Sequence, residues 1–273
     1  MAGNQVKMAI RLLAIDLDDT LLDHAGLIPA RALAAVRAAK ARGLMVTIAT
    51  GRMFRAAQPY AELLQLELPL ICHQGALLMD RHRHPPLWNK PVPVKPGQDA
   101  IELLRQQKVY YHGYFEDDLY TETVNERNLG YARHIGVELK TTPDLSALME
   151  ERPAMEIMAV LNPRRIDAME SALKERFGHL LHISRFRNTV LEVMHPEARK
   201  EAALKALAER LGVERGEVLA VGDNYNDLEM IKWAGVGVAV ANAEEKVKAA
   251  ADWICPSNEE GGVADALQRF FED

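Results

Sequence analysis

The chain has 273 residues, of which 48% are hydrophobic, and its formal net charge at pH 7 is -6. Acidic and basic residues are interleaved, so the composition argues against nucleic acid or an anionic membrane surface as the main partner. Two cysteines, Cys72 and Cys255, are too few for a disulfide framework. The sequence shows neither a secretion signal nor a long apolar span, which predicts a cytoplasmic protein.

The first third of the chain alternates strands and helices. A short apolar run over Ile10–Ile15 stops at an acidic cluster, as a buried parallel strand does at its carboxyl end. The pattern then predicts a helix over 30–42, a strand over 44–49, a helix to about Leu66 and a strand over 69–72. Such alternation with short connections predicts a parallel sheet that is covered by helices on both faces.

The same alternation returns in the last third, whereas the middle of the chain differs. The middle holds most of the prolines and tyrosines and predicts an inserted α+β domain at 84–187. We therefore predict an α/β fold with a Rossmann-like, doubly wound parallel-sheet core built from residues 1–83 and 188–273. The predicted elements of the last third are helices at 199–211, 226–233, 244–251 and 262–271 and strands at 218–221, 236–240 and 253–254.

Two carboxylates follow the first predicted strand. A chain that leaves a sheet can turn Asp16 and Asp18 around one centre, where they repel each other unless a cation or a proton holds them. Mg²⁺ suits this arrangement because it takes oxygen ligands and keeps positions open for phosphate and water. For this Asp-x-Asp pattern alone, a solvated acidic turn is the alternative interpretation.

Further polar groups follow two other strands. Thr50 and Gly51 offer a hydroxyl and backbone N–H groups where an anion could bind at the start of a helix, although such a pair taken alone is more often an N-cap Thr followed by a flexible Gly. The run Gly222–Asp227 reads GDNYND and fits either the second half of a metal site or a loop with Asx turns. Lys200 lies one predicted helix before that strand and is of interest only in combination with these residues.

The loops that follow three of the predicted strands are expected to lie close together in space. Ligands of open α/β sheets bind outside the carboxyl ends of the strands, and Asp16, Thr50 and Asp223 all follow such ends. Phosphoryl transfer depends mainly on positioning the phosphate and neutralising its charge, which a metal ion, a lysine and backbone N–H groups can supply. A carboxylate can serve as the covalent nucleophile. The sequence thus predicts a magnesium-dependent phosphoryl-transfer site.

These motifs resemble those of haloacid dehalogenase superfamily phosphatases, in particular the Cof-like sugar-phosphatase group of class IIB. The matching segments are DLDDTLL, ATGR, Lys200 and GDNYNDLEM, in that order, and the resemblance spans essentially the whole chain. It implies a phosphoric monoester hydrolase that cleaves sugar phosphates or related metabolites through an aspartyl-phosphate intermediate. The inserted domain would be an α/β cap that selects the leaving group.

The resemblance also implies a role for individual residues. Asp16 would be the nucleophile and Asp18 the general acid/base. The Mg²⁺ site would comprise Asp16, the backbone carbonyl of Asp18, and Asp223, with Asp227 orienting the ion or its waters. The phosphoryl oxygens would be bound by the backbone of Leu17 and by Thr50, Gly51, Lys200 and Asn226.

The sequence leaves alternatives open both within and outside this family. Asp18 argues against dehalogenase chemistry, because a halide leaves without a proton whereas an alkoxide needs one. A phosphomutase of similar fold and a non-catalytic sensor of phosphate ligands are the alternatives. The expected partner is a small-molecule phosphate ester, and the sequence predicts no oligomeric state.

The chain departs from the family pattern at a few positions near these motifs. Asp19 stands where Gly is common, His73-Gln74-Gly75 stands where an Asn-Gly pair is more usual, and Glu201 stands where Gly is frequent. None of these departures removes a group that the proposed chemistry needs.

Overall fold

The computed structural model describes residues 9–81 and 85–272. The chain divides into two compact units. The first unit comprises Met1–Gly51, Ala57–Pro86 and Arg199–Asp273, and the second comprises Arg52–Ala56 and Leu87–Ala198. None of the helices within the described residues combines the length and the apolar character that a membrane span requires.

Strands and helices alternate along the chain. The strands are β1 (Leu12–Ile15), β2 (Met45–Ile48), β3 (Leu70–Cys72), β4 (Leu77–Met79), β5 (Trp88–Asn89), β6 (Tyr110–Phe115), β7 (Asp118–Thr121), β8 (Leu139–Thr141), β9 (Ala154–Val160), β10 (His182–Arg187), β11 (Val190–Met194), β12 (Val218–Gly222), β13 (Val236–Val240) and β14 (Trp253–Cys255). The helices are α1 (Ala30–Ala41), α2 (Phe54–Leu63), α3 (Val94–Gln106), α4 (Glu126–His134), α5 (Leu145–Glu151), α6 (Pro163–Phe177), α7 (Lys200–Leu211), α8 (Leu228–Trp233), α9 (Glu245–Ala250) and α10 (Gly262–Leu267).

The first unit is built on a parallel sheet with the strand order β14-β13-β12-β1-β2. β1 pairs with β12 on one side and with β2 on the other, and it is buried along its whole length. This burial explains why its sequence is a continuous apolar run rather than an alternating one. Since Ile15 is in register with Val221 and with Ile48, the loops that follow these three strands leave the same edge of the sheet. The architecture confirms the predicted α/β, Rossmann-like class.

The second unit has a six-stranded sheet with the order β10-β11-β9-β6-β7-β8. Its strand pairs are antiparallel except for the parallel pair of β7 and β8. One face of the sheet packs on helices and forms a separate apolar core with residues such as Leu104, Phe115, Ile157 and Leu191. This is the α+β texture predicted for the inserted segment.

The limits of the second unit differ from the predicted 84–187. Residue 84 lies outside the described residues, and the unit begins again at Leu87 and ends at Ala198. Its end falls later than 187 because β11 pairs with both β9 and β10. The role of this unit as a cap stays a prediction.

Candidate active site

Asp16 lies at the carboxyl end of β1. Its backbone N–H donates to the Val221 carbonyl over 3.0 Å, which extends the β1–β12 ladder by one step and buries the side chain. The chain then forms a helical turn over Leu17–Leu21, in which Asp19 has a left-handed φ of 58°. Left-handed backbone favours glycine, which gives a physical reason why Gly is common at this position. The Asn242 side chain donates to the Asp19 carbonyl over 2.7 Å and holds the turn.

Leu17 and Asp18 follow the predicted nucleophile directly. The Leu17 side chain is fully buried, and its carbonyl accepts a hydrogen bond from the Leu22 N–H over 2.9 Å. Asp18 is extended, with φ -69° and ψ 129°, and it is more exposed than Asp16. A partly exposed carboxyl group can exchange a proton with solvent, which suits the acid/base role predicted for Asp18.

Lys200 is buried between two carboxylates. It is the first residue of α7, and its Nζ lies 2.5 Å from Asp16 Oδ1 and 2.7 Å from Asp227 Oδ1. Burial alone would lower the pKa of Lys200, but the neighbouring Asp16 and Asp227 carboxylates raise this pKa above its ordinary value. The lysine is therefore a fixed positive charge that orients one oxygen of Asp16.

The loop after β12 brings two further carboxylates to the site. Thr20 Oγ1 donates to Asp223 Oδ1 over 2.8 Å. Asp227 Oδ2 accepts from the backbone N–H groups of Asp223 and Asn224, each over 3.1 Å. A Cβ atom at Gly222 would lie 2.5 Å from Asp227 Cβ, so this close approach requires glycine. Both oxygens of Asp227 accept hydrogen bonds, which is consistent with the predicted role of Asp227 in orienting the ion or its waters.

The three carboxylates form a group that could hold a cation. Asp16, Asp223 and Asp227 are buried, and one oxygen of each lies within 4.8 Å of the others. Burial and the charge of Asp227 raise the pKa of Asp16 well above its usual value and that of Asp223 to about 7. Negative charge in excess of the single Lys200 cation, presented by oxygen atoms, fits a hard divalent ion such as Mg²⁺. Asp18 was expected to contribute a backbone carbonyl rather than its carboxylate.

Three of the residues predicted to bind phosphate contact Gln74, a residue that was not predicted to belong to the site. Thr50 is fully buried after β2, and its carbonyl accepts the Gln74 N–H over 3.1 Å. Asn226 Nδ2 donates to Gln74 Oε1 over 2.9 Å, while Gly51 packs against the same amide. Gln74 was missed as a site residue, although the departure from the Asn-Gly pattern of the family pointed to this turn.

Comparison with known proteins identifies the family. The model of the haloacid dehalogenase-like hydrolase family matches residues 13–267. A 5-amino-6-(5-phospho-D-ribitylamino)uracil phosphatase of Bacillus subtilis is 31% identical over 99% of this chain and 99% of its own length. A pyridoxal phosphate phosphatase of Escherichia coli is 29% identical over 95% of this chain and 98% of its own length.

Solved structures agree with this assignment. A haloacid dehalogenase-like hydrolase from Bacteroides thetaiotaomicron is 28% identical, with a TM-score of 0.87 over 96% of this chain and all of the other. A haloacid dehalogenase subclass IIB sugar phosphatase, 21% identical, shares the fold with a TM-score of 0.83 over 95% of this chain and 98% of its own. Together with the phosphatase relatives, these matches confirm the predicted enzyme class, a phosphoric monoester hydrolase. The chain belongs to the haloacid dehalogenase-like hydrolase family.

Proposed function

We propose that this enzyme uses Mg²⁺ to hydrolyse phosphate monoesters of small metabolites, including sugar phosphates, through a covalent aspartyl-phosphate on Asp16. The observation that carries this proposal is the position of the Asp16 carboxylate, which is buried, oriented by Lys200 and adjacent to Asp223. The two relatives named above act on a pyrimidine ribityl phosphate and on pyridoxal phosphate. Both of these are small phosphate monoesters, which supports the same substrate class here.

The first step transfers the phosphoryl group to the protein. Asp16 Oδ1 is held by Lys200, which leaves Oδ2 to attack phosphorus as the bond to the leaving oxygen breaks. Asp18 donates a proton to that oxygen, so the leaving group departs as an alcohol. Mg²⁺, held by Asp16, Asp223 and the backbone carbonyl of Asp18, would supply charge neutralisation for the phosphoryl oxygens.

The second step returns the phosphoryl group to water. Asp18, now a carboxylate, accepts a proton from the attacking water as the bond between phosphorus and Asp16 breaks. Inorganic phosphate is released, and both aspartates regain their initial states. Throughout, Lys200, Thr50, Gly51, Asn226 and the backbone of Leu17 would hold the phosphoryl oxygens.

The test separates the two aspartates of the first motif. Asp16→Asn should abolish turnover and leave no phosphoryl label, because no covalent intermediate can form. Asp18→Asn should accumulate aspartyl-phosphate from an activated aryl phosphate, whose leaving group scarcely needs a proton. Mass spectrometry after acid quenching locates the label on the peptide that contains Asp16. Asp19→Asn is the matched control, because Asn also tolerates the left-handed backbone at that position.

Several outcomes would reject this mechanism. Normal turnover by Asp16→Asn, label on another residue, or full activity after treatment with a chelator would each contradict it. If the wild-type phosphoenzyme passes its phosphoryl group to added sugar phosphates far faster than to water, the protein is a mutase instead.

A further inference from the structure

The turn between β3 and β4 has an unusual backbone. His73, Gln74 and Gly75 have consecutive left-handed φ angles of 49°, 54° and 93°. Side-chain-bearing residues rarely adopt such angles, and these conformations persist only where the surrounding structure determines them. Such backbone is enriched at ligand sites.

Two neighbouring loops of the first unit hold the turn in place. The Gln74 N–H donates to the Thr50 carbonyl over 3.1 Å. A Cβ atom at Gly75 would lie 2.2 Å from the carbonyl oxygen of Arg199, so only glycine fits against the residue that precedes Lys200. The turn is thus fixed between the loop after β2 and the start of α7.

The Gln74 side chain is buried and reaches two segments that are distant in sequence. Its Oε1 accepts the hydrogen bond from Asn226 Nδ2 over 2.9 Å. Its amide also covers Gly51, because a Cβ atom at Gly51 would lie 2.6 Å from Gln74 Nε2 and 3.0 Å from Cδ. Gly51 and Asn226 are both proposed ligands of the phosphoryl group.

We infer that Gln74 is a positioning residue of the phosphate site, an inference that rests on the function proposed above. Gln74 Oε1 accepts one N–H of the Asn226 side-chain amide and so fixes its orientation. The second N–H of Asn226 is then left for a phosphoryl oxygen. The Gln74 amide also packs on the backbone of Gly51 and keeps that backbone in place. An Asn at this position, as is more usual in the family, is one methylene shorter and would not span the two segments in the same way.

The experiment compares Gln74→Ala and Gln74→Glu with wild type in the presence of Mg²⁺. KM and kcat are measured with an aryl phosphate, and inorganic phosphate is used both as a competitive inhibitor and as a ligand in calorimetry. Gln74→Ala should raise KM and the dissociation constant of phosphate about tenfold, with a smaller change in kcat. Gln74→Glu keeps the size of the side chain but adds a negative charge, so it should weaken phosphate binding about a hundredfold. Gln58→Ala is the matched control, because Gln58 bonds only to Glu62 among the described contacts of its amide.

A double-mutant cycle tests the contact with Gly51. Gly51→Ala should displace the Gln74 amide and weaken phosphate binding about tenfold, while the double variant with Gln74→Ala should bind phosphate about as well as Gln74→Ala alone. Additive losses, or unchanged phosphate affinity in both Gln74 variants, would overturn the inference. If wild type binds phosphate in a Gln74-dependent manner but hydrolyses no ester, the positioning role stands and the proposed function fails.

Discussion

Lys200 is expected to contribute both to the local structure of the site and to the proposed reaction. Its ammonium is fully buried and bonds to Asp16 and Asp227, and a buried charge is tolerated only when it is paired. Removal of the lysine would leave the two carboxylates without the cation that offsets their repulsion. In the proposed mechanism the same charge would also neutralise phosphoryl oxygens, so catalysis and local structure would both depend on this ammonium group.

We predict that Lys200→Ala lowers kcat/KM while the sheet still forms. The fall should correspond to a loss of about 2–4 kcal/mol of transition-state stabilisation. Steady-state kinetics and urea unfolding, measured together, distinguish the chemical loss from a loss of fold. Lys205→Ala is the matched control, because Lys205 lies on the same helix and pairs with Glu201 at the surface. Exposed pairs contribute little to stability. Unchanged kinetics in Lys200→Ala would assign Lys200 a structural role only.

The residues of the site differ in how readily the sequence reveals them. Asp16 and Asp223 could be predicted because each follows an apolar run that forms a buried strand, and parallel strands end at one edge. Gln74 could not be predicted in the same way. Its position depends on a left-handed turn that is held by Thr50 and by the residue preceding α7, and sequence spacing does not encode such contacts.

Among the secondary-structure elements, the sheet of the second unit carries buried ionisable residues on the face opposite its apolar core. Glu156 on β9 and Glu192 on β11 are both buried and share a hydrogen bond, and Ser184 Oγ donates to Glu192 over 2.7 Å. His112 on the neighbouring β6 is buried as well. Burial raises the pKa of Glu156 from 4.5 to about 8, so this carboxyl group holds a proton near neutral pH.

This raised pKa predicts how the stability of the second unit depends on pH. Between about pH 4.5 and pH 8 the folded state keeps a proton on Glu156 that the unfolded state releases, so the contribution of Glu156 to stability falls as the pH rises through this range. Glu156→Gln removes this dependence and should be more stable than wild type at about pH 9, by up to about 5 kcal/mol. Unfolding curves of both proteins at about pH 5 and about pH 9 measure this difference in the free energy of unfolding. The exposed Glu175→Gln controls for the loss of one charge, and parallel pH profiles of wild type and Glu156→Gln would contradict the prediction.

For the longer strands and helices, the sequence pattern predicts the bounds to within a few residues. It does not predict several short elements. β13 was predicted with its observed bounds, Val236–Val240, because a strand buried on both faces is a continuous apolar run. β8, with three residues, and α5, with seven, were not predicted. Such short segments form because of the partners they pair with or pack on, as β8 does with β7, and a local pattern does not name those partners.

At the scale of the whole molecule, the proposed chemistry and the inserted segment lie in different units. Asp16, Thr50, Lys200 and Asp223 all belong to the first unit, and the second has its own sheet and apolar core. Units with separate cores can fold separately. Apart from Arg52–Ala56, the second unit is the single segment Leu87–Ala198, so we place the ends of the inserted segment at Leu87 and Ala198 rather than at 84 and 187.

We predict that replacing Leu87–Ala198 with a short flexible linker leaves a folded first unit that still hydrolyses a small aryl phosphate, at a reduced kcat/KM. The predicted cap would exclude water and select the leaving group, so selectivity among phosphate esters should be lost without it. Replacing only 84–187 should instead give an aggregating protein, because β11 would remain without β9 and β10 and would expose Leu191 and Val193. Circular dichroism, gel filtration and rates on a panel of esters distinguish the two variants. If the first unit folds alone yet keeps the selectivity of the intact protein, leaving-group selection belongs to the first unit and the assignment of a cap is wrong.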